Sequence, residues 1–379
     1  VIRPTVATVS LEAIRHNLGA IRDLVAREAE SAGASRPVGV IAVVKANAYG
    51  HGAAAVALAL EEAGASMLAC ADIAEGVSLR QAGVRAPILV FGALSVSDLD
   101  GVFVYRLIPT VSTPAAARAL ERAARARDVV IHCHLKIDTG MNRLGFRHDN
   151  LGRTMPDVLG SPHLTFDAVY THFATADDPE SPFLEEQRAR FERASAALGA
   201  LGLRIAGRHA ANSAALLRDR RLWYDWIRPG LLLYGIVPPP LASSLDLRPA
   251  LSLTSRIVGV KGVRAGEGTS YGLTWRADRA RTLAIVPAGY ADGLDTRLSG
   301  RGSALVRGRR LPIVGAVCMD MLMIDVTGLD VDPGDEVVFI GRQGDEEITA
   351  REMASAIGTI PWEVVCRLGA RIERQYSAG

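Results

Sequence analysis

No apolar stretch in this chain approaches the ~20 residues that a membrane-spanning helix requires. Residues 1–16 lack the charged-then-apolar layout of a secretory signal. Long like-charge blocks and low-complexity tracts are missing too, which argues against extensive disorder. The formal net charge is only +2, and arginines are scattered throughout. That leaves no electrostatic footprint for nucleic acid or an anionic membrane. Cys70, Cys133, Cys318 and Cys366 lie far apart, with no CxxC pair and no zinc spacing. They read as buried, reduced thiols, which suits a reducing cytosol, so a cytoplasmic setting is expected.

What is present is enough chain for two domains: 379 residues with a hydrophobic fraction of 49%. From residue 38 to 236 one rhythm repeats. A short run rich in Val and Ile gives way to a polar turn and then to a stretch of helical period. The spacing predicts strands at 38–44, 67–71, 87–91, 108–111, 129–137, 166–171, 204–209 and 231–236. Helices are expected between them, for example at 52–63, 114–126 and 182–198. Near-continuous apolar strands alternating with helices indicate a helix-covered parallel sheet. An open doubly wound sheet would satisfy the pattern, but eight strands favour a TIM-type (β/α)8 barrel.

The rhythm stops at Val237-Pro238-Pro239-Pro240, which reads as a linker because proline neither continues a helix nor donates to a sheet. Short alternating runs follow at 251–263, 282–288, 302–306, 311–317, 321–326 and 336–340, with one helix near 350–357. The expected domains are therefore a barrel over 1–240 and a predominantly β C-terminal domain over 241–379. Residues 5–9 alternate like a strand, which makes 1–10 a candidate to pair with the second domain.

In such a barrel, chemistry collects after the C-terminal ends of strands. Strand 38–44 runs into Lys45-Ala46-Asn47-Ala48-Tyr49-Gly50-His51-Gly52. A lysine there can be partly desolvated toward a neutral amine able to form a Schiff base with an aldehyde cofactor. Taken alone, Lys45 is more simply a surface lysine and His172 a core histidine. Asn212-Ser213 would be a helix cap and Arg228 a turn residue. Together they place an amine, an imidazole, a hydroxyl, a glycine turn and a guanidinium around one barrel mouth. Backbone N–H groups near Ser213 and Gly230 could cradle a phosphate.

At these residues the chain resembles the bacterial alanine racemases. Val44–Gly52 is similar to their pyridoxal-phosphate attachment motif. The similarity continues at Lys136-Ile137-Asp138-Thr139-Gly140-Met141-Asn142-Arg143, Thr171-His172-Phe173-Ala174, His209-Ala210-Ala211-Asn212-Ser213 and Arg228-Pro229-Gly230. Ser270-Tyr271-Gly272, Pro287-Ala288-Gly289-Tyr290-Ala291-Asp292-Gly293 and Cys318-Met319-Asp320 extend it, in family order, over nearly the whole chain. The resemblance implies a barrel followed by a β domain, pyridoxal 5'-phosphate as cofactor, and a homodimer with composite sites. It also implies production of D-alanine for peptidoglycan.

Residue by residue, it implies that Lys45 carries the cofactor and acts as one base, with Tyr271 of a second copy as the opposing base. Racemisation needs bases on both faces of Cα, and a phenol serves only where its surroundings favour phenolate. His172 and Arg228 are the expected source of that bias. Arg228 corresponds to the arginine facing the pyridine nitrogen, and Asn212 falls within the cofactor-binding set. Tyr49, Ser213, Gly230, Leu231 and Tyr376 correspond to positions holding the cofactor phosphate. Arg143 matches a residue near the cofactor phenolic oxygen and the substrate carboxylate. Met319 matches a backbone contact for that carboxylate. Lys136 falls where many members carry a lysine carbamylated by CO2. Asn142 and Met321 depart from the commoner glycine and glutamine. They leave open a related substrate such as serine; a barrel decarboxylase and a noncatalytic pyridoxal-phosphate carrier are the other rival readings.

Overall fold

The computed structural model describes residues 3–31, 37–92, 94 and 99–377. The chain forms two compact units. Ile14–Ala48 with Ala53–Leu247 make one; Val1–Ala13, Tyr49–Gly52 and Arg248–Gly379 make the other.

The first unit is a closed (β/α)8 barrel. Its parallel strands are Gly39–Val43, Met67–Cys70, Ile88–Val90, Ile108–Val111, Ile131–Asp138, Leu164–Tyr170, Gly207–Asn212 and Trp226–Arg228. Pairing of Ile108–Val111 with Ile131–Asp138, and of Trp226–Arg228 with Gly39–Val43, closes the ring. The strands read as apolar runs because helices cover them: Ile88–Val90 is buried throughout, and Gly39–Val43 nearly so. Helix starts follow local chemistry. Asp72 caps Ile73–Gln81 by accepting from the Glu75 amide, and Thr113 caps Pro114–Arg125, whose proline sits where no N–H is needed. Gly39 and Gly207 leave room for the Trp226 ring; a Cβ at either would lie 2.2 or 1.9 Å from it.

The last strand differs from the sequence reading. The apolar run 231–236 is no strand: Leu231–Tyr234 is a 3-10 helix closed by Gly235 at φ 74°. The strand is Trp226–Arg228, ending where Pro229 offers no N–H. A short buried apolar run looks the same for strand and helix, so periodicity could not separate them. Strand 204–209 likewise shifts to Gly207–Asn212, so that Asn212 terminates it.

The second unit is mostly strands. Its main sheet runs from Gly259–Val263 through Arg281–Val286, Leu322–Asp325, Arg309–Val314, Ser303–Val306 and Glu336–Gln343 to Leu251–Arg256, Val6–Ser10 and Glu373–Ser377. The opening segment therefore does join this sheet, antiparallel to Leu251–Arg256 and parallel to Glu373–Ser377. Residues 1 and 2 of that segment lie outside the described residues. The run 251–263 divides into two strands, and helix Pro361–Cys366 adds to the expected Ala350–Ile357. Among the described residues no helix is long and apolar enough to cross a membrane. Cys70 and Cys133 are buried as expected, whereas Cys318 is half-buried and Cys366 exposed; none of the four forms a disulfide.

Candidate active site

Parallel strands deliver their C-terminal ends to one rim, and the barrel residues singled out by sequence stand there. Lys45 follows Gly39–Val43, Lys136 lies near the end of its strand, and His172 follows Leu164–Tyr170. Ser213 follows Gly207–Asn212, and Arg228 ends Trp226–Arg228.

Arg228 is 3% exposed, and its two terminal nitrogens make four hydrogen bonds. One nitrogen donates to His209 Nδ1 at 2.9 Å; the other donates to Thr171 O, Ala210 O and His172 Nδ1 at 2.9, 2.9 and 3.1 Å. Every acceptor is neutral, so burial pulls the guanidinium down to about 10, still charged at neutral pH. Because arginine only donates, Nδ1 of both histidines must accept. His209 Nε2 then faces His134 Nδ1 at 3.0 Å and supplies the proton between them. Burial and the neighbouring cations hold His172 and His209 well below the usual histidine range, and burial sets His134 near 4. Gln187 fixes the segment: it donates to His172 O at 3.2 Å and accepts from Ala174 N at 2.8 Å.

Burial, then Arg143 and Arg228, pulls the Lys136 amine down to about 8. The amine lies 5.5 Å from the Tyr170 ring centre. Lys136, Arg143 and His172 line one narrow cleft. Asp138, the nearby carboxylate, is taken up by its own loop, accepting from the Gly140 and Asn142 amides at 3.0 Å each. Asn142 sits at φ 54°, a left-handed conformation that asparagine tolerates almost as glycine does. The sign for Lys136 follows from its lowered pKa. Below pH 8 it is protonated folded or unfolded and carries the full burial penalty; the penalty fades as pH rises toward the unfolded value. Lys136→Met is therefore expected to gain about 3 kcal/mol at pH 7 in bicarbonate-free buffer, the gain shrinking above pH 8. Urea titration at pH 7 and 9.5 checks this.

The phosphate candidates divide between the units. Ser213 Oγ accepts from Gly230 N at 3.0 Å and Leu232 N at 3.4 Å, so hydroxyl and amides converge, with Leu231 opening the 3-10 helix between them. Asn212 spends its side-chain oxygen on the Ala215 amide, capping Ser213–Arg218. Tyr49 and Tyr376 belong to the second unit. Burial pushes the Tyr49 phenol up, and the Tyr376 hydroxyl crowds Gly52 so closely that a Cβ there would sit 1.8 Å from it.

Tyr271 and Met319 lie in the second unit, 78% and 51% exposed, beside a concavity of about 1380 Å³ that Met321 and Tyr290 also line. Ser270, at φ 67°, fixes the Tyr271 turn by donating to Ala316 O at 2.7 Å. The Met319 loop is held from two sides. Ala291 N donates to Met319 O at 3.1 Å, and Arg371 spans Met319 O, Asp320 and the fully buried Asp292. Gln187 and His134 escaped the sequence reading. Asp292 and His209 lay in quoted motifs but received no role.

Lys45 is half-buried and opens a turn in which Ala46, Asn47, Ala48 and Tyr49 all take φ of 52–55°. Each such residue costs roughly 1–2 kcal/mol, so the turn persists only where its surroundings impose it.

These features define a (β/α)8-barrel protein whose rim gathers an amine, neutral imidazoles and several cations, a donor set fitted to a small anionic ligand. Residues 9–238 match the model of the alanine racemase N-terminal domain, and 250–376 that of the alanine racemase C-terminal domain. An alanine racemase of Symbiobacterium thermophilum is 43% identical over 99% of this chain and 97% of its own. One from Carboxydothermus hydrogenoformans is 42% identical over 99% and 100%. Among solved structures, the alanine racemase of Bacillus anthracis with bound L-Ala-P gives a TM-score of 0.91 at 36% identity, covering 99% of this chain and 95% of that one. That of a D-cycloserine-producing Streptomyces lavendulae gives 0.93 at 34%, covering 100% and 98%. The chain belongs to the alanine racemase family.

Proposed function

We propose that this chain racemises alanine, interconverting the L and D forms with pyridoxal 5'-phosphate and supplying D-alanine for peptidoglycan in the cytoplasm. The observation that carries the reading is the grouping of Lys45, Lys136, Arg143 and Arg228 about a neutral His172. Such a surplus of cations suits a ligand bearing a phosphate and a carboxylate. The residues fit the cofactor: an amine at a strand end, a hydroxyl–amide cradle at Ser213, Gly230 and Leu231, and a donor-only guanidinium. When bound, pyridoxal phosphate supplies the electron sink that acidifies the Cα proton.

The chain's own groups do the rest. Lys45 holds the coenzyme and moves the proton on one face of Cα, and Tyr271 of a second copy serves the other. Arg143 and the Met319 amide orient the substrate carboxylate. Arg228, unable to give up its proton readily, keeps the ring nitrogen from full protonation, while Tyr49, Tyr376 and Asn212 complete the cofactor set. In this reading 1–240 is the cofactor domain and 241–379 lends Tyr271 and Met319 to a neighbour. The exposed Tyr271, Met319 and Met321 beside the large concavity favour a two-fold homodimer with composite sites. An amine near pKa 8 is partly neutral at physiological pH, as attack on CO2 requires, so Lys136 adds CO2 and gives up a proton to water, forming a carbamate that pairs with Arg143.

Incubation of the protein with L-alanine, L-serine and L-lysine, with and without pyridoxal phosphate, tests the reading. Cofactor-dependent D-alanine is the expected product. D-serine in excess would make it a serine racemase, and released amine a decarboxylase. Cofactor bound without turnover would leave a carrier. Dilution in the same assay is expected to lose activity as the dimer dissociates; a fully active monomer contradicts the composite site.

A further inference from the structure

The Lys45 turn is energetically unfavourable as a free segment, which raises the question of what holds it. Its first amide answers. Ala46 N donates to Glu75 Oε1 at 2.6 Å, and Ala71 N, at the end of the neighbouring barrel strand, donates to Glu75 Oε2 at 2.7 Å. Glu75 is itself fixed, because its own amide donates to the capping Asp72 at 2.8 Å. Further along the turn, Asn47 Oδ1 accepts from Ala53 N at 2.8 Å, at the start of helix Ala53–Glu62. One carboxylate thus ties the residue after Lys45 to an adjacent strand end, just where the backbone enters its left-handed run.

We propose that Glu75 is the positioning residue for Lys45: by accepting from the Ala46 and Ala71 amides it imposes the turn that aims the lysine amine into the barrel mouth. The inference rests on the reading of Lys45 as the cofactor-bearing lysine. Its chemical logic is specific to a carboxylate. Both oxygens accept, and both facing groups are N–H donors. Glutamine keeps the shape but sets an NH2 against one of the amides.

The barrel carries its own control. Glu61 Oε2 accepts from Arg85 N at 2.8 Å and Ala86 N at 3.1 Å, ahead of strand Ile88–Val90 and so at the opposite end from Lys45. Glu61→Gln removes a comparable carboxylate–amide bridge with no route to the lysine.

The test follows condensation of the Lys45 amine with the aldehyde of added pyridoxal phosphate, which releases water. Full-length wild type, Glu75→Gln, Glu75→Asp and Glu61→Gln are stripped of cofactor, and borohydride traps the Lys45 adduct at timed intervals. Thermal midpoints are measured alongside. Trapping in Glu75→Gln is expected to be about tenfold slower, with a similarly weakened cofactor Kd, and Glu75→Asp intermediate. Glu61→Gln is expected to stay within about twofold of wild type at a similar loss of Tm. Equal trapping rates in Glu75→Gln and Glu61→Gln would overturn the inference while leaving the racemase reading intact. Failure of wild type to label Lys45 at all would bring down both.

Discussion

Replacing Lys45 with alanine is expected to lower alanine racemisation by at least about a thousandfold, in both directions, while the protein stays folded. The side chain is only half-buried, and it stands among Lys136, Arg143 and Arg228, so its loss relieves like-charge repulsion. A mere structural lysine would give the opposite pattern, a lower Tm with turnover preserved. Added methylamine is expected to restore part of the lost rate, because a free amine can replace the missing proton carrier but not its alignment. Chiral chromatography of the products, with circular dichroism as the folding check, reads both effects. Activity within tenfold of wild type would remove Lys45 from the chemistry.

A second large effect concerns acid. His134, His172 and His209 are all held neutral inside the barrel, His134 near 4 and the others well below the usual histidine value. The unfolded chain takes up these protons as pH falls through about 6.5, whereas the folded chain does not. Each histidine therefore contributes stability that is present above pH 6.5 and lost below it. Three such groups give a slope of about 4 kcal/mol per pH unit between pH 6 and 5, enough to unfold a domain of ordinary stability before pH 4. Paired carboxylates such as Asp295, held near 2, release their share only at lower pH, so the two windows separate. Urea unfolding at pH 7, 6 and 5 measures the slope. His134→Gln keeps an acceptor for His209 and is expected to reduce it by about a third. A slope below one proton per unit would mean that these imidazoles charge in the folded state.

The barrel was legible because covered parallel strands must be apolar on both faces, and seven of the expected runs became strands at nearly their expected positions. The run 231–236 failed for the complementary reason: so short an apolar run carries no period, and only backbone bonds such as Leu233 N to Gly230 O and Gly235 N to Leu232 O decide between strand and helix. Lys45 and His172 could be placed because their strand ends are visible in sequence, whereas Arg228 was given its role through the family resemblance, its own strand Trp226–Arg228 having been read as 231–236. Glu75 could not, since its role lies in accepting from two backbone amides, and backbone donors leave no mark on residue identity. The pairing of Arg371 with Asp292 was hidden likewise, the two lying 79 residues apart. The left-handed turn after Lys45 was equally hidden, because of its four residues only Asn47 favours a positive φ, and Ala46, Ala48 and Tyr49 do not.

The chain has three lysines, Lys45, Lys136 and Lys261, which makes covalent labelling decisive. Borohydride reduction of the protein loaded with pyridoxal phosphate, followed by peptide mapping, should place one pyridoxyl group per chain on Lys45 and none on the other two. Label on Lys136 or Lys261 in place of Lys45, or none on any lysine, would contradict the account.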